Sequence, residues 1–540
     1  MTMLIAVDVG TASVRAGLFT AEGELLARRI SPITLDRPAA ERAEQDGEEI
    51  WRAVCEAVRG AREAAGVAPG EVRGLAFDAT SCTLVFLDAA DRPVSISESG
   101  EERWNVLVWM DHRAIAEAER CTATGHRVLR HVGGVMSPEM AVPKLMWVKH
   151  HLPERWQATA RVFDLADYLG WKATGNNARS QCTLTCKWTY LAHRSPGWQR
   201  DFLAEVGIPE MIERADLPER ATPVGADLGP LTGKAAAALG LTTGCRVGAG
   251  LIDAHSGALG LLGGIAPERP EALDRHLALI AGTSTCHMAM SPEPRQVFGV
   301  WGPYYGVVLP DLWLNEGGQP ATGALLDHMI AWTAAGAALG EDAHARVLAR
   351  IAELRREEGE DLAPRLHVLP DFHGNRSPLA DPHALGVISG LALDHSFDAL
   401  CRLYYRTALA VALGTRHVIE ALNREGYAID TLHLAGGHTR NPLLMEFYAD
   451  ATGCRVITPG EQDPVLLGTA VAAARAAGLH PDLAAAAKAM RRPGAVRDPD
   501  PATRARHDRD YRAFLAMHEQ RRALDALIAG QESALSAAGG

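Results

Sequence analysis

This sequence of 540 residues has no run of Lys and Arg long enough to line a nucleic-acid groove or an anionic membrane surface, and its formal charge is −12. A small soluble partner is the simpler expectation. It can still carry phosphate, because backbone amides and helix N-termini hold phosphate without positive net charge. Long apolar runs are missing as well. The first, Leu4 to Val7, is broken by Asp8 and has no basic segment before it. It therefore fits neither a signal peptide nor a bilayer span, and the expected location is cytoplasmic. The cysteines Cys55, Cys82, Cys121, Cys182, Cys186, Cys245, Cys286, Cys401 and Cys454 never take C-x-x-C spacing. That pattern predicts reduced, mostly packed thiols rather than a disulfide framework or a zinc site. Two common nucleotide signatures are absent too. Gly233-Lys234 has no glycine five residues before Gly233 and is followed by Ala235, and no G-x-G-x-x-G separates a strand from a helix.

Hydrophobic residues make up 47% of the chain and charged ones 22%, which lets it bury more than one core and predicts two large domains. Strands are expected at Leu4 to Val9, Ser13 to Phe19 and Leu25 to Ile30, followed by a helix at Glu48 to Ala65 and a strand from Val72 to Phe77 that ends at Asp78. This meander, helix and further strand are how a ribonuclease H-like ATPase lobe begins. A similar opening recurs at Leu277 to Ala281 and continues as strand through Met288, so an internal duplication is plausible. Gly263 to Arg275, rich in Gly, Pro and charge, is the candidate connection between domains. Beyond it, the pattern predicts a long helix at Phe397 to Asn423, a strand at Leu432 to Ala435, and helices at Pro442 to Thr452 and Gly468 to Ala477. Arg491 to Asp510 reads as a linker into a C-terminal helix. The expected division is 1–265, 266–480, and a linker with helical extension at 481–540.

Three small-residue turns could carry phosphate chemistry. Asp8-Val9-Gly10-Thr11, with Ser13 and Arg15 after it, sets a carboxylate at a strand end beside a glycine that admits close approach of phosphate. Asp8 could hold Mg2+ through water, which suits a cation that dehydrates reluctantly. Ala281-Gly282-Thr283-Ser284-Thr285 can point amides at phosphates. Leu434-Ala435-Gly436-Gly437, running through Asn441 to Pro442, is a strand, a glycine turn and a helix start, where adenosine could lie on bare backbone. Each turn has an ordinary structural explanation; their order along one chain is what favours ATP. Asp253, in Gly250-Leu251-Ile252-Asp253-Ala254-His255-Ser256-Gly257, follows the strand Val247 to Ala249 and is the candidate general base. A helix cap would explain it equally well. His255 reads as structural.

Taken together, these segments resemble the FGGY carbohydrate kinases, with likeness spread from Asp8 to about Gly478. Trp109-Met110-Asp111-His112-Arg113 is similar to that family's W-x-D-x-R segment, and Gly374-Asn375-Arg376-Ser377-Pro378 to its G-x-R-S-P stretch. Asp78-Ala79-Thr80-Ser81-Cys82 and Thr185-Cys186-Lys187-Trp188-Thr189-Tyr190 look like the ribulokinase branch. The resemblance implies an α/β chain of two ribonuclease H-like (actin-like ATPase) domains with a cleft between them. It also implies ATP and Mg2+ as cofactors, with Asp253 as base. Gly10, Thr11, Ser13, Arg15, Gly282, Thr283, Ser284, Gly436, Gly437 and Asn441 would lie at the nucleotide. Ser81, Cys82, Asp111, Lys187, Asp253 and Glu316 would lie at the sugar. The Thr-Cys-Lys-Trp form points to D-ribulose phosphorylated at O5, with L-ribulose and ribitol as alternatives. A non-catalytic actin-fold ATPase acting on a protein is the rival from another class. The expected partner is a small pentulose or polyol, without nucleic acid or membrane. A homodimer is the assembly entertained, although sequence fixes no oligomeric state.

Overall fold

The computed structural model describes residues 2–265, 270–459, 463–492 and 494–528. The chain forms two compact units that are not contiguous in sequence. The first takes the chain up to Asp274 together with Met288–Glu316 and Pro459–Pro493; the second takes Arg275–His287, Gly317–Thr458 and the chain from Gly494 onward. A division at 265/266 and 480/481 would assign 288–316 and 459–480 to the second lobe, and both segments pack with the first. Four residues of the expected connection, 266–269, lie outside the described residues. Its last part is the turn Pro270–Arg275, and the units change between Asp274 and Arg275.

The first unit is built on a six-stranded sheet. Its order is Leu25–Pro32, Ser13–Thr20, Met3–Val9, Val72–Ala79, Arg246–Ile252 and Asp227–Pro230. The first three strands form the antiparallel meander, and Val72–Ala79 and Arg246–Ile252 add in parallel. This is the order expected of a ribonuclease H-like lobe. Every residue of Met3–Val9 is buried, as a central strand covered on both faces requires. The helix Gly47–Ala64 starts at Asp46, whose side chain accepts hydrogen bonds from the amides of Glu48 and Glu49.

The helix Pro464–Ala476 lies against the helix Asp253–Leu262. A Cβ on Gly468 would stand 1.9 Å from the Ser256 carbonyl oxygen, and one on Gly260 2.1 Å from that of Pro464. Only hydrogen fits at either place. The sequence pattern starts this helix at Gly468, where glycine resembles a break. It begins at Pro464 instead, because Asp463 caps it and the glycine is there for close packing.

In the second unit, His276–Ala281, Thr431–Ala435 and Arg455–Ile457 pair in parallel, and Val496–Arg497 adds antiparallel. Phe397–Arg424 and Pro442–Thr452 form where the pattern predicts. The C-terminal helix Arg504–Ile528 starts six residues before the end of the expected linker. Asp510 lies inside it, 3.3 Å from Arg406, and both side chains are 2% exposed. A buried ion pair from a distant helix therefore overrides a locally polar stretch. Among the described residues no helix is long and apolar enough to cross a membrane.

Candidate active site

Three neighbouring parallel strands of the first unit end in carboxylates. Asp8 and Asp78 face each other in register, and Asp253 follows Arg246–Ile252 directly as the first residue of its helix. Asp8 is 1% exposed and Asp78 fully buried. Arg15 pairs with Asp8 and reaches Asp463 at 3.3 Å. Burial raises both carboxyls above the usual range. Arg15 partly opposes this at Asp8, whereas at Asp78 burial and then the negative charge of Asp8 both push upward. Thr469 donates to Asp78 Oδ2, while Oδ1 is buried with no hydrogen-bond partner among the described residues. Asp253 is half-buried and accepts from the Ala254 amide at 2.7 Å. Burial first, then Asp8 and Glu316, push it up to about 7. The carboxyls of Asp8, Asp78 and Asp253, with Asp78 Oδ1 buried and unpartnered, form a hard, oxygen-rich set that fits Mg2+. Thr469 escaped the sequence reading, which takes Asp78 as a strand end and motif residue without a place beside Asp8.

A second cluster surrounds Glu316, on the strand Trp313–Gln319. Lys187 Nζ donates to Glu316 Oε2 at 3.1 Å, and the side chains are 1% and 7% exposed. Lys187 Nζ sits 4.1 Å from the ring centroid of Trp301. His255 Nε2 donates to the same oxygen at 3.2 Å. Burial alone would raise Glu316, but Lys187 and His255 outweigh it and bring it to about 2. Burial would likewise discharge Lys187, and Glu316 reverses the shift. His255 Nδ1 lies 3.1 Å from Cys182 Sγ and 3.7 Å from Cys186 Sγ. Against its burial, Cys182 and Glu316 raise His255 to about 9. His255, read from the sequence as structural, is fully buried and links the sulfurs of Cys182 and Cys186 to Glu316. The cysteines are free and all but Cys286 are buried, as expected of packed thiols, and the fold brings two of them to one imidazole.

Asp111 is placed differently. Arg113 holds both of its oxygens, at 2.8 and 2.7 Å, and the Ala43 amide donates at 2.8 Å. Its acceptors are thus largely occupied in fixing the chain. Cys82, at φ 55°, is buried, and Ser81 beside it is partly exposed. The fully buried Lys144 donates to the carbonyls of Cys82, Val108 and Trp109 at 3.0, 2.8 and 3.1 Å. Those three bonds repay the burial of its charge and lock two loops together. Nothing around Lys144 in sequence signals this. The turn after Asp8 is fixed from the same region. Trp109 Nε1 donates to Thr11 Oγ1 at 3.0 Å, and the Gly10 amide donates to the Ser13 carbonyl at 3.0 Å.

In the second unit, Gly282-Thr283-Ser284 and Gly436-Gly437 follow adjacent parallel strands, in which Ile280 pairs with Ala435. Gly436 has φ 93°, and a Cβ there would stand 2.3 Å from the Ala281 carbonyl oxygen, so the two turns touch because this residue has no side chain. His438 fastens them, donating from Nε2 to the Gly282 carbonyl at 2.9 Å while Nδ1 meets the Tyr448 hydroxyl at 3.0 Å. Nothing lies within 4 Å of a Cβ placed on Gly282, leaving open backbone where a phosphate could approach. Asn441 is occupied. It caps Pro442–Thr452 by accepting from the amides of Leu443 and Leu444, and its Nδ2 donates to Tyr404 at 3.1 Å.

Residues 3–260 match the FGGY family of carbohydrate kinases, N-terminal domain, and residues 277–477 match its C-terminal domain. The chain is 44% identical to an FGGY carbohydrate kinase domain-containing protein of Danio rerio, over 96% of this chain and 97% of that one. It is 36% identical to a D-ribulokinase of Saccharomyces cerevisiae, over 87% of this chain and 71% of that protein. The crystal structure of xylulose kinase from Rhodospirillum rubrum superposes with a TM-score of 0.77 at 26% identity, covering 97% of this chain and 99% of that one. The fold is therefore that of the actin-like ATPases, and the strand-end carboxylates and glycine turns described above occupy residues matched to one family. The chain belongs to the FGGY carbohydrate kinases, enzymes that transfer phosphate to a sugar hydroxyl.

Proposed function

We propose that this kinase phosphorylates D-ribulose at O5, giving D-ribulose 5-phosphate, with ATP as donor and Mg2+ as its metal. The observation that carries the reading is Glu316. Lys187 and His255, both buried, converge on its Oε2, and in this reading a sugar hydroxyl would approach the same carboxylate. Such an array selects a polyol by the polar groups a wrong epimer would leave unpaired. The yeast relative named a D-ribulokinase supports a pentulose in particular.

In this mechanism Lys187 and Glu316 orient the sugar. Asp253, at the strand end, takes the proton of the terminal hydroxyl as that oxygen gains its bond to phosphorus. Asp8, with Asp78 beside it, would hold Mg2+, which would neutralise charge on the phosphates. When bound, MgATP supplies the phosphoryl group with its charge partly neutralised. In the second unit the turns at Gly282 and Gly436 would offer backbone amides to the nucleotide and Asn441 positions its helix, while in the first unit Arg15 orients Asp8.

The test is ADP production with D-ribulose, L-ribulose, D-xylulose, L-xylulose, ribitol and glycerol. D-Ribulose should give the highest kcat/KM, and ADP release indifferent to every sugar would sink the reading. A pH profile tests the base. Asp253 is raised to about 7, so it carries a proton and cannot accept one below that pH. Accordingly, kcat/KM should fall about tenfold per pH unit below neutrality. An acid limb near 4 would remove Asp253 from the role.

A further inference from the structure

We propose that Cys182, Cys186 and His255 form a buried binding site for a thiophilic divalent cation, with Zn2+ as the ion expected. Their donor atoms all lie within 4.8 Å of one another, and all three residues are buried. Cys182 and Cys186 are four apart on the helix Gln181–Lys187, which puts both sulfurs on one face. The His255 Nδ1 distances to those sulfurs are 3.1 and 3.7 Å. In a tetrahedral site with Zn–S of about 2.3 Å and Zn–N of about 2.0 to 2.1 Å, sulfur and nitrogen ligands stand roughly 3.5 Å apart. The donors already bracket that separation.

The surroundings suit the same use. Metal-bound imidazoles ordinarily give their other N–H to a carboxylate, which fixes the tautomer and aims the ring. His255 does this through Nε2 to Glu316. Two thiolates cancel the charge of a divalent cation, so the site buries no net charge. Thiolate and imidazole select Zn2+ over Mg2+, so the site is distinct in kind from the oxygen-rich cluster at Asp8. The ion would tie the helix that ends in Lys187 to the helix that begins with Asp253. Its role is therefore positioning, and its existence does not depend on which sugar is used.

The experiment is a titration of full-length, chelator-stripped, reduced protein with Co2+, without ATP or Mg2+. A thiolate-to-cobalt charge-transfer band should saturate at one ion per chain and be displaced by Zn2+. Cys182→Ser and Cys186→Ser should each abolish most of that band, and Glu316→Gln should weaken binding by roughly 10- to 100-fold. A wild-type protein with native circular dichroism and no such band would overturn the proposal, as would a band undiminished in both cysteine variants. Should either variant fail to fold, Zn2+-soaked wild-type crystals decide. An anomalous peak between the two sulfurs and the imidazole supports the site, and its absence there refutes it.

Discussion

Asp253→Asn is expected to lower kcat by roughly 10²- to 10⁴-fold while leaving both KM values close to wild type. The amide keeps the shape of the side chain, and its oxygen can still accept from the Ala254 amide, which is 2.7 Å away. It removes only the capacity to take a proton. The substitution also removes a negative charge from beside Asp8 and Glu316, the repulsion that helps raise Asp253 to about 7. The sign for stability follows. A carboxyl whose folded pKa lies above its unfolded value costs stability once pH exceeds the unfolded value, and the full cost is reached above the folded one. Thermal melting of the variant at pH 8 should therefore not fall below wild type. A coupled assay at saturating sugar and ATP measures the first effect, and near-wild-type turnover would remove Asp253 as base.

Lys187→Ala should raise KM for the sugar by roughly 10- to 100-fold with little change in KM for ATP, as expected when a hydrogen bond to a charged group worth about 1.5–3 kcal/mol is lost. The side chain is 1% exposed and bound to Glu316, so its loss acts on the sugar array directly. Glu316 keeps His255 on Oε2, so the variant should fold, though with a lower melting temperature. Lys187→Arg should not restore the sugar KM, because a planar guanidinium does not fit the compact pocket of an ammonium stacked on Trp301. Initial rates against each substrate, with the other saturating, separate the cases. An effect confined to ATP would place the sugar elsewhere.

Some of this was legible in the residue order. Strands at Met3–Val9 and Ser13–Thr20 announce themselves by apolar runs and a small-residue turn, and Pro442–Thr452 by an asparagine cap, a proline at its start and a glycine beyond its end. Asp8 and Asp253 stand out because each ends a buried run. Other elements were misplaced wherever packing, not propensity, sets the boundary. Gly468 looks like a helix break and is a point of contact with Ser256, and the polar stretch before Asp510 is helical because Arg406 awaits that carboxylate.

By itself, then, the sequence determined the local pieces and the identity of the family. The pieces follow from hydrogen bonding and periodicity among residues close along the chain, and the family from motifs that resemble it. Tertiary structure alone decided what each charged group meets. Lys187 and Glu316 lie 129 residues apart, and Arg15 and Asp463 lie 448 apart. His255 acquires its cysteines only once the helices Gln181–Lys187 and Asp253–Leu262 are packed. The physical reason is that electrostatic and coordination energies depend on distance in space and on exclusion of water, and neither quantity exists until the chain has closed on itself.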